Sequence, residues 1–366
     1  MPTQIIAWIL SFLSFFAFWN PNAQPNKIPE TRTYEGEVLD KYGVWPTKEF
    51  ETGKISSLVP TAFETWYLLS ELTKTKTESL LVLHKGKLVY ENYRDGWDKD
   101  KLHYMASVTK SVVSALVGIA IGEGKIKGVG DKVVDYFPEA QTMPGWQESK
   151  ADMTIEHLLT MTSGILAESE EDWDGFFAEQ QQDAALFAFL LPQKTDPGKK
   201  YAYDNIAPSI LLGIVQRATG CENMLKYARE KLFDPLGMTS VEWETTADGL
   251  PTGGFGINMI PRDMLRFGYL YLNNGLWEDK QIIPADYVAV TPPRSKAKYA
   301  YGYMFWNSRM MPFGSSYQAI GANGQEIVIL PKWDLVIART ADENYWVGRA
   351  WSKVEGKLDE WGLKFW

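Results

Sequence analysis

Cysteine and histidine are scarce in this sequence. Cys221 is the single cysteine in 366 residues, so no internal disulfide can form and cysteine-built metal sites are excluded. The three histidines, His84, His103 and His157, lack metal-ligand spacing: there is no H-E-x-x-H, and two leucines follow His157. No metal or other cofactor is expected. Runs of basic residues are also missing, and 37 Lys and Arg against 46 Asp and Glu leave a net charge of −9. A phosphate backbone has nothing to hold, which excludes nucleic acid as a partner. The G-x-S-x-G elbow of α/β-hydrolases is absent. The one glycine-rich stretch, Gly253–Gly256, is followed by no G-K-[ST] and reads as a tight loop before a helix starting at Pro261.

Long apolar runs are few as well. Ile5 to Trp19 is uncharged over 15 residues, short of the roughly 20 that span a bilayer and suited to the apolar core of a signal peptide. Residues 1–23 therefore read as a signal peptide, with an uncleaved membrane anchor as the alternative. The expectation is an exported protein, periplasmic or extracellular, touching membrane only through this segment.

Aromatic residues, by contrast, are abundant: 15 Trp, 18 Tyr and 17 Phe within a 45% hydrophobic composition. That supplies a large core and suggests an aromatic-lined cleft. Residues 24–56 read as a linker and N-terminal extension, and 57–366 as one domain with a helical subdomain at about 130–260. Ser79–Tyr93 has two β-rich runs around Lys85 and Gly86, a hairpin pattern that Glu326–Thr340 repeats. Between them, Ile206 to Ala218 has helical spacing with Asn205 placed to cap it and Gly220 to stop it. Other helices are expected near Thr154–Met161, Glu222–Leu232 and Pro261–Gly275, and an amphipathic one in the C-terminal segment 347–362. This order predicts an α/β (α+β) fold in which both chain ends build an antiparallel sheet around an inserted helical subdomain.

The chemistry centres on SVTK, Ser107 to Lys110. Lys110 is the only charged residue between Ser107 and Gly122. Three residues apart on a helix, the two side chains share a face. A serine becomes a nucleophile when a base takes its proton, and a lysine can serve once burial lowers its pKa from about 10.4. Backbone N–H groups at a helix start also favour an oxyanion. The plainer alternative is that Ser107 caps the helix while Lys110 reaches out to solvent.

About a hundred residues on, YDN, Tyr203 to Asn205, leads into a helix. With SVTK, TIEHLLTMTSGI (154–165) and REKLFDPLGMTS (229–240), it resembles the serine β-lactamase-like superfamily. The likeness is to the class C branch, with its D-alanyl-D-alanine carboxypeptidases, carboxylesterases and 6-aminohexanoate-dimer hydrolases. The resemblance, over roughly 78–342, implies acyl-enzyme catalysis: Ser107 as nucleophile, Lys110 and Tyr203 relaying its proton, and Asn205 orienting Lys110 or the substrate. The family's third motif, K-T-G or a variant, is placed on Ala322, Asn323 and Gly324. The oxyanion hole would then pair the N–H groups of Ser107 and Gln325, with Asn323 and Gly324 against the substrate. Ala322 brings no cation for a substrate carboxylate, which favours an esterase or amidase over a β-lactamase or carboxypeptidase. Trp173, in the acidic ESEEDWDGFF segment, is a candidate lid and substrate contact, or else a surface residue. The expected partner is a small-molecule or short-peptide ester or amide, and a noncatalytic binding protein that keeps the pocket is the remaining alternative.

Overall fold

The computed structural model of the protein describes residues 43–54, 74–166, 170–291, 301–309 and 315–343. The expected signal peptide, most of the linker and the C-terminal helix lie outside them. Two-residue turns that match strand twist need positive φ at both positions. Lys85 and Gly86, at φ 51° and 77°, meet that need and join β1 (Thr77–His84) to β2 (Lys87–Tyr93). Short β3 (His103–Tyr104) then leads into α1 (Val108–Gly122). Five helices follow: α2 (Ile155–Leu159), α3 (Glu170–Phe177), α4 (Ala184–Leu190), α5 (Ala207–Thr219) and α6 (Met224–Ala228). Next come β4 (Glu242–Trp243), β5 (Ile257–Met259), α7 (Pro261–Leu272), the small pair β6 (Leu276–Trp277) and β7 (Lys280–Gln281), and α8 (Ala285–Val290). The last run is β8 (Tyr301–Gly302), β9 (Phe305–Arg309), β10 (Ser315–Gly321), β11 (Gln325–Leu330) and β12 (Leu335–Ala341).

The main sheet has the order β2-β1-β12-β11-β10-β9-β8 with antiparallel neighbours. Leu81 and Ile327 both pair with Ala338 of β12, so β12 joins the first described hairpin to β11. The fold class is the one the sequence predicts. Helix α7 lies close on the sheet because Gly268 leaves room: a Cβ there would come 2.5 Å from Val336 Cγ1. Residues 51–53 run beside β2, with Leu88 N–H donating to Glu51 O and Gly53 N–H to Leu88 O.

Helix α1 is mostly apolar and buried on every side, Val108 through Ala120 without exception. A helix of that kind belongs inside a fold rather than on its surface. It packs against α5, β10 and β11, which draws Lys110 into the interior. No helix among the described residues is long and apolar enough to cross a membrane.

Candidate active site

The turn before α1 is held from several sides. Met105 N–H donates to Ile257 O of β5, and Ala106 sits in the left-handed region at φ 45°. Thr109 Oγ1 donates to Ala106 O at 2.7 Å and accepts from Ile257 N at 3.3 Å. Ser107 occupies the helix N-cap, yet its side chain makes no capping bond. Its hydroxyl faces Lys110 instead, 2.9 Å from Nζ. The capping alternative does not hold here.

Nor does Lys110 reach solvent, being 1% exposed. Its Nζ also lies 2.6 Å from Asn205 Oδ1 and 2.6 Å from Gly254 O. Burial brings its pKa down from 10.5 to about 7, opposed by the nearby Asp204 carboxylate. A neutral amine carries two N–H donors and one lone pair. Two acceptors that can only accept, Asn205 Oδ1 and Gly254 O, take the N–H groups, so the lone pair is left for the Ser107 hydroxyl proton.

Asn205, expected to cap α5, is thus committed to Lys110. The cap falls to its neighbour: Asp204 Oδ1 accepts from Ile206 N at 2.7 Å and Ala207 N at 2.6 Å. Burial raises the Asp204 pKa to about 6, against the lowering effect of those N–H groups and of Lys110. Its Oδ2 is buried with no partner among the described residues. Tyr203 is 36% exposed, and its hydroxyl is in contact with the Ser107 hydroxyl. Desolvation pushes that phenol up to about 12, more than the Ser107 contact lowers it. Tyr203 is therefore a phenol, not a phenolate, near neutral pH, with Lys110 Nζ 4.9 Å from its ring centre.

The third segment needs a correction of three residues. Gly321, not Gly324, is the glycine against the Ser107 backbone: a Cβ on Gly321 would fall 2.1 Å from Met105 O and 3.1 Å from Ser107 N. A Cβ on Gly324 would meet Arg339 Nη1 at 2.5 Å, on β12. Gln325 opens β11 opposite Gly321, so its backbone belongs to the ladder, and its Nε2 donates to Ala341 O. The three residues up to the close glycine are Ala319, Ile320 and Gly321, again without a cation, and the next N–H is that of Ala322. Asn323, at φ 62°, lines a separate cavity with Gln325. We expect Gly321→Ala to force β10 away from the turn at an overpacking cost of about 1–3 kcal/mol, read as a lower Tm. An unchanged Tm would contradict the close approach.

Two aromatic clusters adjoin the segments that carry Tyr203 and Gly254. Tyr203 stacks on Trp306 with ring centres 5.6 Å apart and meets Tyr301 edge-on. Trp173, in α3, lies 6.3 Å from both Phe177 and Phe255. Trp173 is thus tied, through Phe255, to the loop that carries Gly254. His103 hydrogen-bonds Glu78 at 3.0 Å, and His157 Nδ1 accepts from Thr154 N in the capping box of α2. No metal-holding group of acidic, histidine and cysteine side chains occurs among the described residues.

Sequence reading missed the Gly254 carbonyl and the Asp204 carboxylate. The paired glycines were the available signal for the first: a Cβ on Gly254 would fall 2.4 Å from Asn205 O, and one on Gly253 2.3 Å from Pro208 C. The YDN segment can lie on this loop only if both positions lack side chains.

A family model described as Beta-lactamase matches residues 69–353. The 6-aminohexanoate-dimer hydrolase of Paenarthrobacter ureafaciens is 25% identical over 315 residues, 77% of this chain and 78% of that one. Among solved structures, a Bacillus anthracis protein provisionally named 6-aminohexanoate-dimer hydrolase superposes with a TM-score of 0.65 at 22% identity, covering 81% of this chain and 83% of its own. EstCE1, named as a hydrolase with promiscuous acyltransferase activity, superposes at 0.64 with 14% identity, covering 81% of this chain and 98% of its own. At such identities the structural likenesses establish the fold.

Proposed function

The chain belongs to the Beta-lactamase family, and on that premise we propose that it is a serine hydrolase that cleaves a small ester or amide through an acyl-enzyme on Ser107. The observation that carries this reading is the buried Lys110 amine, held by two fixed acceptors with its third position on the Ser107 hydroxyl. As Ser107 Oγ attacks the substrate carbonyl, its proton passes to Lys110. The ammonium so formed keeps three oxygen acceptors, so the buried charge is solvated as it appears. Tyr203, protonated and in contact with Ser107, donates its hydroxyl proton to the leaving oxygen or nitrogen and regains one from Lys110. Water then enters by the reverse route and frees the acid. The N–H groups of Ser107 and Ala322 would stabilise the tetrahedral oxyanion.

Neither Ala319 nor Ala322 offers a cation to a substrate carboxylate. The rings of Tyr301 and Trp306 beside Tyr203 suit an apolar or aromatic leaving group. An esterase or amidase therefore fits better than a penicillin-recognising enzyme, and the relatives above are named as a 6-aminohexanoate-dimer hydrolase and as a hydrolase with promiscuous acyltransferase activity. The test is p-nitrophenyl butyrate against benzylpenicillin: turnover of the ester with no penicilloyl adduct by mass supports the reading. A stable penicilloyl adduct would move the protein to the penicillin-recognising class, and neither reaction would favour a binding protein.

The pH profile gives a second check. The reactive form needs neutral Lys110, so kcat/KM should rise as pH passes through about 7. The Asp204 carboxylate raises the Lys110 pKa, and Asp204→Asn keeps an oxygen for the α5 cap while removing that charge. The acidic limb should then shift to lower pH. A shift to higher pH would overturn the assignment of that limb to Lys110.

A further inference from the structure

The peptide unit between Ala106 and Ser107 carries two opposed groups, Ala106 O on one edge and Ser107 N–H on the other, since a trans peptide is planar. Whatever holds the oxygen therefore aims the N–H. Thr109 holds it twice, donating from its backbone N at 3.2 Å and from Oγ1 at 2.7 Å. The same hydroxyl accepts from Ile257 N at 3.3 Å, while Ile257 O accepts from Met105 N at 2.8 Å. Thr109 and Ile257 are both 0% exposed, so bulk water cannot take over either bond. The hydroxyl thus ties the first turn of α1 to β5 across the peptide that precedes the nucleophile. Ser107 N itself lies beside the end of β10, 3.1 Å from where a Cβ on Gly321 would stand. Its N–H donates to no acceptor among the described residues.

The turn is strained. Ala106 has φ 45°, in the left-handed region that a residue with a Cβ enters only at a cost. Such a residue persists where its surroundings over-determine it, and Thr109 supplies that hold by binding Ala106 O and Ile257 N at once. Relaxation of Ala106 towards negative φ would swing the Ala106–Ser107 peptide. The Ser107 N–H would then leave the place where, with that of Ala322, it meets the substrate oxygen. A carbonyl that accepts hydrogen bonds also polarises the amide to which it belongs, which makes the N–H a stronger donor. We propose that Thr109 is a positioning residue of the oxyanion hole, its hydroxyl aiming and polarising the Ser107 N–H through Ala106 O. This inference rests on the serine hydrolase reading for its effect on rate, though not for the hold on the peptide.

Thr109→Val keeps the shape of the side chain and removes the hydroxyl. Loss of a whole oxyanion donor costs about 10²–10³ in kcat, and a misaimed one should cost at least about tenfold with p-nitrophenyl butyrate. KM should hardly move, because the oxyanion forms only on the way to the transition state. The acidic limb should stay near pH 7, since Asn205 Oδ1 and Gly254 O still hold Lys110. Thr109→Ser, which restores the hydroxyl, should regain most of the rate. Thr109→Cys, a weaker donor of similar size, should fall between the two and serves if Thr109→Val does not fold. Wild-type kcat in Thr109→Val, or a loss that Thr109→Ser shares in full, would overturn the positioning role and leave the hydrolase standing. A crystal structure of Thr109→Val reads the geometry independently of turnover. Ser107 N turned away from Gly321, in a protein whose wild type neither hydrolyses the ester nor takes up a fluorophosphonate, would uphold the hold on the peptide and overturn the hydrolase reading. Ser107 N left in place, with Ala106 still at positive φ, would overturn the inference.

Discussion

Ser107→Ala is expected to remove acyl transfer, with kcat/KM falling on the order of 10⁴-fold or more, while the fold survives. The loss is large because nucleophile and base act as a unit, and what remains is only binding and oxyanion stabilisation. Stability should hardly change. A capping serine is worth about 0.5–2 kcal/mol, but Ser107 makes no capping bond, and the methyl fits where Cβ already lies. Activity kept at the wild-type level in Ser107→Ala would put the nucleophile elsewhere. A large drop in Tm alongside lost activity would mean that the serine holds the turn together.

Lys110→Met should be nearly as damaging, lowering kcat/KM by about 10²–10⁴, the usual contribution of a positioned base. Methionine fills a similar volume and leaves Asn205 Oδ1 and Gly254 O without their donor. This variant also separates catalysis from stability. The folded Lys110 pKa, about 7, lies below its ordinary value of 10.5, so between those limits the unfolded chain binds more protons. Its contribution to stability is therefore smallest below about pH 7 and rises with pH above that. The difference in stability between wild type and Lys110→Met should change in the wild type's favour as pH increases from 7 to 10, as melts across that range would show. A pH-independent difference would mean that the amine is already neutral, or charged and fully compensated.

What the sequence made legible was local. Both hairpins could be placed because two β-rich runs and a turn, Lys85-Gly86 in one and Pro331–Asp334 in the other, lie within fifteen residues, and SVTK stands out as one charge on an apolar helix. The burial of Lys110 followed from the same apolar surroundings. What escaped depends on contacts between distant segments. Gly321 and Gly324 both end short runs at a strand junction, and only the packing of Gly321 against Met105 O distinguishes them. In the same way Asp204 and Asn205 are both good caps in isolation. The choice between them is made by Lys110, which takes the Asn205 oxygen and leaves Asp204 to the helix. The Gly254 carbonyl was hidden for a further reason, since a backbone acceptor leaves no mark in residue type.

The central claim is that the buried amine makes Ser107 a nucleophile. The most direct measurement is the site and pH dependence of labelling by a serine-reactive fluorophosphonate, read by intact mass and peptide mapping. A single adduct on Ser107 is expected, formed faster as pH rises through about 7 and absent in Ser107→Ala. An adduct on another residue, or none in the folded protein, would contradict it.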